Sequence, residues 1–391
     1  MSRLFAPGTF LIPEHMNLCQ WSVIACDQYT SQPQYWQKCR EITAGSPTAL
    51  NCILPEAFLE ETDASAITSI HQTMTAYLES GLFSAFENAY IYIERHLQSG
   101  VTRKGILGCI DLEGYEFSDH TSAPIRATEK TVPERIPPRM AVRDGAPLEF
   151  SHVLMLCDDE KKQIIEQVDT SSLRKLYDFD LMLNGGHLTG WLISGTEKEK
   201  LEARLKAYEE SHERLPYAIG DGNHSLASAK VLYEQHGKPQ NLRYAAVELN
   251  NIHDDAYSFK PIHRLVKADP DALSAFLKAH ESSDGTPVEC VIGNRKQTIY
   301  LPVEQHGYVL KVLQDLLDAF IAQSPGEIDY IHGRDNLMNL TDDTHSAFIL
   351  PALTKDSFFR HLDKYGVYCR KAFSIGEADD KRFYLESRRL Y

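Results

Sequence analysis

The sequence predicts an α+β protein in which mixed sheets carry packed helices. Three observations lead there. Short apolar runs rich in strand-forming residues recur along the 391-residue chain. Stretches with helical apolar spacing fall among them. The order is irregular, with strand pairs and lone helices intermixed, where a βαβ array would alternate strictly. No internal repeat and no low-complexity segment interrupts the pattern.

Taken in order, the apolar run ending at Asp27 reads as a strand. Tyr29, Thr30 and Ser31 follow it, and Pro33 suits the first turn of a helix. Ile67, Ile70, Met74 and Leu78 stand at helical spacing, with Thr62 or Asp63 as cap and Gly81 as stop. Residues 89–95, 104–113 and 152–158 read as strands. Gly185 and Gly186 before His187 fit a hairpin turn, with a structural histidine. Thr196 with Glu199 forms a capping box ahead of the stripe Leu201, Leu205 and Tyr208. A strand covers residues 243–249, and further runs begin at Gln297, Ser346 and Arg382. Helices are expected before Pro325–Gly326 and before Gly366. Linkers are not marked by composition. The whole chain reads as one unit, with possible lobes at 1–145, 146–283 and 284–391, divided near the Pro-rich segment 133–147 and the polar turn 281–286.

Bulk properties narrow the function. Forty basic against 55 acidic side chains give a formal charge of −15, which argues against a generic nucleic-acid or anionic-membrane surface. None of the eight cysteines forms a Cys-x-x-Cys pair, so no zinc ribbon or thioredoxin motif is expected and the thiols read as reduced core residues. The N-terminal stretch lacks a signal-type apolar core, and no run is long enough to span a bilayer. The expectation is a cytoplasmic protein that acts on a small molecule, with no nucleic-acid or membrane partner; the oligomeric state is open.

One stretch carries chemistry: "YAIGDGNHSLASAK", residues 217–230. A strand-like run gives way to a helix pattern through Asp221, Gly222, Asn223, His224 and Ser225. A helix N-terminus offers free N–H groups and partial positive charge, and glycine permits close backbone approach. This is the plan of a phosphate seat. Asp-Gly-Asn is equally a turn sequence with a capping residue, so the residues alone leave both readings open. Lys230, about 10 Å further along the helix axis, is expected to be solvated.

These residues, with "WSVIACDQYTSQPQYW" (21–36), "IRATEKTVPERIPPR" (125–139), "DDAYSFKPIHRLV" (254–266) and "RKAFSIGEADDKRFYLE" (370–386), resemble the family catalogued as domain of unknown function 1015. Its usual Asp-Gly-His-His-Arg helix opening is replaced here by Asp-Gly-Asn-His-Ser, as in one subgroup. That signature is in turn similar to the ParB and sulfiredoxin-like fold, which includes free-serine kinases and CTP-hydrolysing partition proteins. The resemblance implies a ParB/sulfiredoxin-like core with large insertions, phosphate contacts at Gly222, Asn223, His224 and Ser225, and ATP or ADP with Mg²⁺ as cofactors. Ser225 in place of arginine removes a charge-assisted donor, so another cation must compensate.

Arg126, Lys130, Arg135, Arg139 and Arg143, with Glu129 and Glu134 between them, form a basic segment; Pro133, Pro137 and Pro138 predict that it is extended. Arginine suits bidentate phosphate or carboxylate binding. Asp27 or Glu14 is expected as general base, by analogy with the acidic residue near the N-terminus of the serine kinases. Asp254 or Asp255 is the candidate Mg²⁺ ligand. Arg370, Lys371, Glu377, Lys381 and Arg382 read as a strand–loop–strand that closes over a ligand. The leading expectation is nucleotide-dependent phosphoryl transfer to or from a small hydroxyl metabolite, with His224 polarising a phosphate oxygen. A non-catalytic nucleotide- or anion-binding regulator, and a metal hydrolase built on His253 and His263, are the rivals.

Overall fold

The runs Phe83–His96 and Thr102–Asp111 form an antiparallel hairpin, and a 13-stranded mixed sheet extends from both its sides. Along these strands successive side chains point to opposite faces. Tyr90, Tyr92, Ile106 and Ile110 enter one apolar core. Ile91, Ile93, Leu107 and Cys109 enter another. Both faces are covered, which is why these strands read as continuous apolar runs and not as alternation. The computed structural model describes residues 3–61, 64–303 and 308–391. The chain forms two units, one of Met1–Tyr257 with Glu377–Tyr391 and one of Ser258–Gly376. The segment 281–286 lies inside the second unit, where it links the helix Pro270–Lys278 to the hairpin of Thr286–Ile292 and Arg295–Leu301. The Pro-rich segment 133–147 lies inside the first.

On one side of the hairpin the first unit's sheet continues through Tyr244–Asn251, Leu154–Cys157, Tyr217–Asp221 and Ile125–Ala127. Tyr217–Asp221 runs parallel to Ile125–Ala127 and antiparallel to Leu154–Cys157. The sheet is mixed at the point where the 221–225 motif leaves it. On the other side lie Gly8–Pro13, Ser387–Arg389 and Leu148–Phe150. Helix Ala64–Glu79 buries Ile70 and Met74; its expected cap, Thr62 or Asp63, lies outside the described residues. Helix Gly195–Ser211 buries Leu201, Leu205 and Tyr208. It begins one residue before Thr196, directly after the strand His187–Ile193, and its N-cap is Ser194 and not the capping box.

The second unit holds a six-stranded sheet in the order Arg295–Leu301, Thr286–Ile292, His345–Ile349, Phe259–Lys267 and Glu327–His332, with Phe373–Ile375 on the far end of Phe259–Lys267. Leu265, Val291, Leu337 and Ala347 form one of its cores. Helix Val309–Ile321 extends further back than the run before Pro325–Gly326 indicated, and helix Lys355–Tyr365 ends at Gly366.

One expectation is corrected. Residues 133–143 are not extended: Pro133–Arg135 forms a 3₁₀ turn and Ile136–Arg143 an α-helix. Pro137 and Pro138 fall in its first turn, where the N–H they lack has no intrahelical acceptor. Among the described residues no helix is long and apolar enough to cross a membrane.

Candidate anion-binding site

The turn between Tyr217–Asp221 and the helix Asn223–Gln235 is made by Gly222, at φ 78° and ψ 23°. This left-handed conformation favours glycine. A Cβ there would sit 3.0 Å from Val153 Cγ2 and 3.1 Å from Val153 Cα, so a side chain would also crowd Val153. The N-cap, Gly222, has no side chain with which to cap the helix, and the first turn carries no acidic residue. The N–H groups of such a turn have no intrahelical acceptor.

Two of the expected phosphate donors are turned toward the protein. Asn223 Oδ1 accepts from the Thr128 N–H at 3.2 Å, and its Nδ2 donates to Thr128 Oγ1 at 3.2 Å. Thr128 Oγ1 donates in turn to the Ile219 carbonyl at 2.6 Å. Asn223 thus ties the turn to the segment after Ile125–Ala127. His224 Nε2 accepts from the Val132 N–H at 3.1 Å, which requires the Nδ1–H tautomer. Ser225 Oγ lies 3.4 Å from His152 Nε2, a residue the sequence did not single out.

His152 is the centre of a buried polar group. Tyr384 Oη stands 2.8 Å from its Nδ1 and accepts the Cys26 N–H at 3.3 Å; Asp27 Oδ1 is 3.9 Å from its Nε2. Burial lowers the His152 pKa, outweighing the opposing pull of Asp27, so the imidazole is neutral at pH 7. With Tyr384 donating to Nδ1, the Nε2 proton faces Asp27 and Ser225. Burial pushes the Asp27 carboxyl up, but His152, the Gln28 amide, Lys381 and Arg139 together hold it below the usual carboxylate range. Asp27 is an ionised acceptor in a sheltered setting.

The C-terminal segment completes the group. Lys381 Nζ is 3.4 Å from Asp221 Oδ1. Arg103 Nη1 donates to the Asp380 carbonyl at 2.5 Å and Arg95 Nη2 to the Asp379 carbonyl at 2.5 Å; Arg95 also bonds the Lys381 carbonyl. Tyr29 and Asp379 are hydrogen-bonded, and Phe383–Tyr384 pairs with Val23–Ile24. Arg382 is enclosed by Glu248 at 2.8 Å, Glu386 at 2.7 Å and the Ser151 carbonyl at 2.6 Å. Of the five charged residues noted near the C-terminus, Arg370 and Lys371 belong to the second unit and Glu377, Lys381 and Arg382 to the first. Among them Lys381 reaches the motif, at Asp221.

The other expected residues are placed as follows. Arg126 is buried and donates to the carbonyls of Ala123 at 2.7 Å and Arg214 at 2.9 Å. Glu129 follows Thr128 in the clamped segment, and the exposed Lys130 faces Asp119 at 3.6 Å. Arg135 is exposed, its carbonyl accepting from Arg139. Arg139 is ion-paired with Glu56 and lines a pocket with His152, Ser225 and Tyr384. Glu14 is 3.9 Å from Arg174 and does not line that pocket. Lys230, expected to be solvated, is buried and donates to the Leu112 carbonyl at 2.9 Å. Asp254 is buried and accepts the N–H groups of Lys104 at 3.2 Å and Ala256 at 2.8 Å; Asp255 is exposed, 3.9 Å from Lys162. His253 Nε2 is 2.7 Å from Asp158, and His263 Nδ1 accepts the Leu350 N–H at 3.1 Å. Among the described residues no group of three His, Cys, Asp or Glu side chains is arranged to hold a metal.

Comparisons with solved structures give similarities at low identity. A free serine kinase in complex with AMP aligns with TM-score 0.38 at 13% identity, covering 72% of this chain and 90% of that one. A conserved hypothetical protein from Pyrococcus furiosus gives 0.37 at 14% identity, covering 72% and 96%. SbnI with a C-terminal truncation, from Staphylococcus aureus, gives 0.38 at 11% identity, covering 69% and 82%. No curated protein matches the sequence. The model of the family described as "Protein of unknown function (DUF1015)" matches residues 10–342, and the chain belongs to that family.

Proposed function

We propose that the first unit binds a nucleotide, ATP or ADP, and transfers a phosphoryl group to or from a small hydroxyl metabolite. The observation that carries this reading is the glycine-capped start of helix Asn223–Gln235, with Lys381 on Asp221 at that turn and the ionised Asp27 linked to it through His152 and Ser225. The N–H groups of that turn would hold phosphate oxygens, and Lys381, now on Asp221, would share its charge with them. The side chains of Asn223 and His224 shape the cradle and do not supply its donors. Asp27 would take the proton of the substrate hydroxyl. The hydroxyl oxygen bonds the terminal phosphorus, the bond from that phosphorus to its bridging oxygen breaks, and the shortened nucleotide leaves with those electrons.

Mg²⁺ is usually held by one or two carboxylates together with substrate phosphates. Asp254 does not fit this role, because both its oxygens already accept N–H groups. Asp221 does: its Oδ2 is buried without a hydrogen-bond partner among the described residues. Bound there, the ion would neutralise charge on the transferred group. His253 and His263 are each engaged elsewhere, and a metal hydrolase is not supported.

A regulatory, non-catalytic binder is the second reading, favoured by one observation: Asn223 and His224 bond to protein groups, leaving few side-chain donors for a transition state. Calorimetry with ATP, ADP and CTP in the presence of Mg²⁺ tests binding, and product release with a panel of hydroxy metabolites tests turnover. Binding with turnover that Asp27→Asn removes supports the enzyme. Binding without turnover supports the regulator. Absence of any nucleotide binding overturns both.

A further inference from the structure

A pocket of about 110 Å³ opens beside the polar group. Its walls include Cys52, Ile53, Met74 and Leu148, and its polar end includes His152, Ser225 and Tyr384. Arg143, the last residue of helix Ile136–Arg143, lines it as well. Arg143 Nη1 bonds Glu149 Oε1 at 2.8 Å. Its Nε and Nη2 are buried and have no hydrogen-bond partner among the described residues. That edge of a guanidinium is a two-donor fork matching a carboxylate. Leaving such donors buried and unpaired is costly, and natural proteins seldom do so without a reason.

The charge balance points the same way. Glu149 Oε2 also accepts from Arg388 at 3.0 Å. One buried carboxylate therefore serves two guanidinium groups, which leaves one positive charge uncompensated within this cluster. Arg139 is not a competing anchor, since it is taken by Glu56. The apolar walls disfavour a ligand that is anionic throughout. The volume is below the roughly 150 Å³ that accommodates benzene in an enclosed protein cavity, which limits the occupant to a short carbon chain.

Resting on the phosphoryl-transfer reading above, we infer that this pocket holds the second substrate, and that this substrate is a short hydroxy monocarboxylate. Its carboxylate lies on Arg143 Nε and Nη2, its carbon chain lies against Ile53, Met74 and Leu148, and its hydroxyl points toward Ser225 and His152, whose Nε2 is 3.9 Å from Asp27 Oδ1. The pocket selects for a carboxylate at one end and against charge in the middle.

The test uses the full chain and pairs of probes: lactate and 2-hydroxybutanoate, each beside its primary amide, titrated by calorimetry with and without ADP. The acids bind and the amides bind at least about tenfold more weakly, because the amide lacks the charge that the fork recognises. Arg143→Gln removes the difference between acid and amide, and circular dichroism of the unliganded variant checks its fold. Should that variant not fold, the acid–amide comparison on the unaltered chain still decides. Equal binding of acid and amide, or no binding of any acid while ADP binds, overturns the inference and leaves the nucleotide reading standing. Acid binding without any nucleotide binding keeps the pocket and overturns the phosphoryl-transfer reading.

Discussion

Replacing Asn223 by alanine separates a structural clamp from a ligand contact. The Asn223 side chain makes two hydrogen bonds to Thr128, both at 3.2 Å. Thr128 is 1% exposed, so alanine leaves its N–H buried without an acceptor, a loss of about 1–3 kcal/mol. Losing the second bond adds about 0.5–1.5 kcal/mol. Thr128 Oγ1 keeps its bond to the Ile219 carbonyl, so the damage stays local, and the partial exposure of Asn223 lets water repair some of it. The expected cost is about 2 kcal/mol in the first unit. Asn223→Asp keeps the acceptor for the Thr128 N–H and gives up only the donor, so its stability lies between wild type and alanine. Denaturant unfolding of the full chain, followed by hydrogen exchange at residues 125–132 and 217–235, measures both variants. If alanine leaves protection there unchanged while nucleotide affinity collapses, Asn223 is a ligand contact, and the clamp described above is wrong.

Two further expectations concern the first unit and one the second. Asp27→Asn removes turnover by at least about 10²-fold, the usual worth of a general base, and spares nucleotide affinity in calorimetry; a loss of affinity with normal turnover would point to a phosphate-side role. In the active form, the acid limb of the rate profile lies below the ordinary carboxylate range, because the Asp27 pKa is lowered. Lys381→Met weakens nucleotide binding about three- to tenfold and reduces the salt dependence of the affinity; an unchanged salt dependence would show that Lys381 serves Asp221 alone. In the second unit, burial holds the His361 pKa down at about 4 against 6.5 in an open chain. A depressed histidine binds its proton first in the unfolded state, so stability is intact above about pH 6.5 and falls as the pH drops toward 4, by up to about 3 kcal/mol at about 1.4 kcal/mol per unit. His361→Phe, which keeps the stacking against Tyr368, flattens that slope in acid unfolding followed by hydrogen exchange at residues 355–368.

The α+β class was legible because the two longest strands, Phe83–His96 and Thr102–Asp111, send side chains into a core on each face, so burial wrote itself as unbroken apolar runs such as those around Ile91 and Leu107. The turn was legible for a similar reason: only glycine is comfortable at the Gly222 conformation, and the strand before it and the helix after it carry their own patterns. What the residues offered no way to read was direction. Asn223, His224 and Arg126 are polar residues of the right kind, yet they bond to backbone groups of distant segments, at Thr128, Val132 and Arg214. Composition cannot tell a donor aimed at a ligand from one aimed at a carbonyl. His152 was missed because a lone histidine ahead of the apolar strand Leu154–Cys157 carries no spacing to Asp27, Ser225 or Tyr384. The helix Ile136–Arg143 was read as extended because proline was counted by number and not by its place in the first turn.

The same facts explain why this site is assembled late in the chain. Asp27, His152, Ser225 and Lys381 come from four separate segments, and nothing local holds any one of them to another. The last of these segments is positioned by buried arginines: Arg95 and Arg103 take the carbonyls of Asp379, Asp380 and Lys381, and Arg382 is locked between Glu248 and Glu386. A buried ion pair contributes little net stability relative to an apolar replacement, but removing one partner is severe. These arginines are therefore better understood as setting position than as adding stability. They fix the backbone of residues 379–382, and through it the place of Lys381 and the Tyr384 hydroxyl, whose bond to His152 leaves the Nε2 side of the ring to Asp27 and Ser225. Backbone carbonyls have no side-chain identity, so this hold rests on Arg95 and Arg103 and leaves the side chains of Asp379, Asp380 and Lys381 to bond Tyr29, the Glu377 N–H and Asp221. The surroundings of the turn at Gly222 are thus set by charged residues placed far from it in sequence.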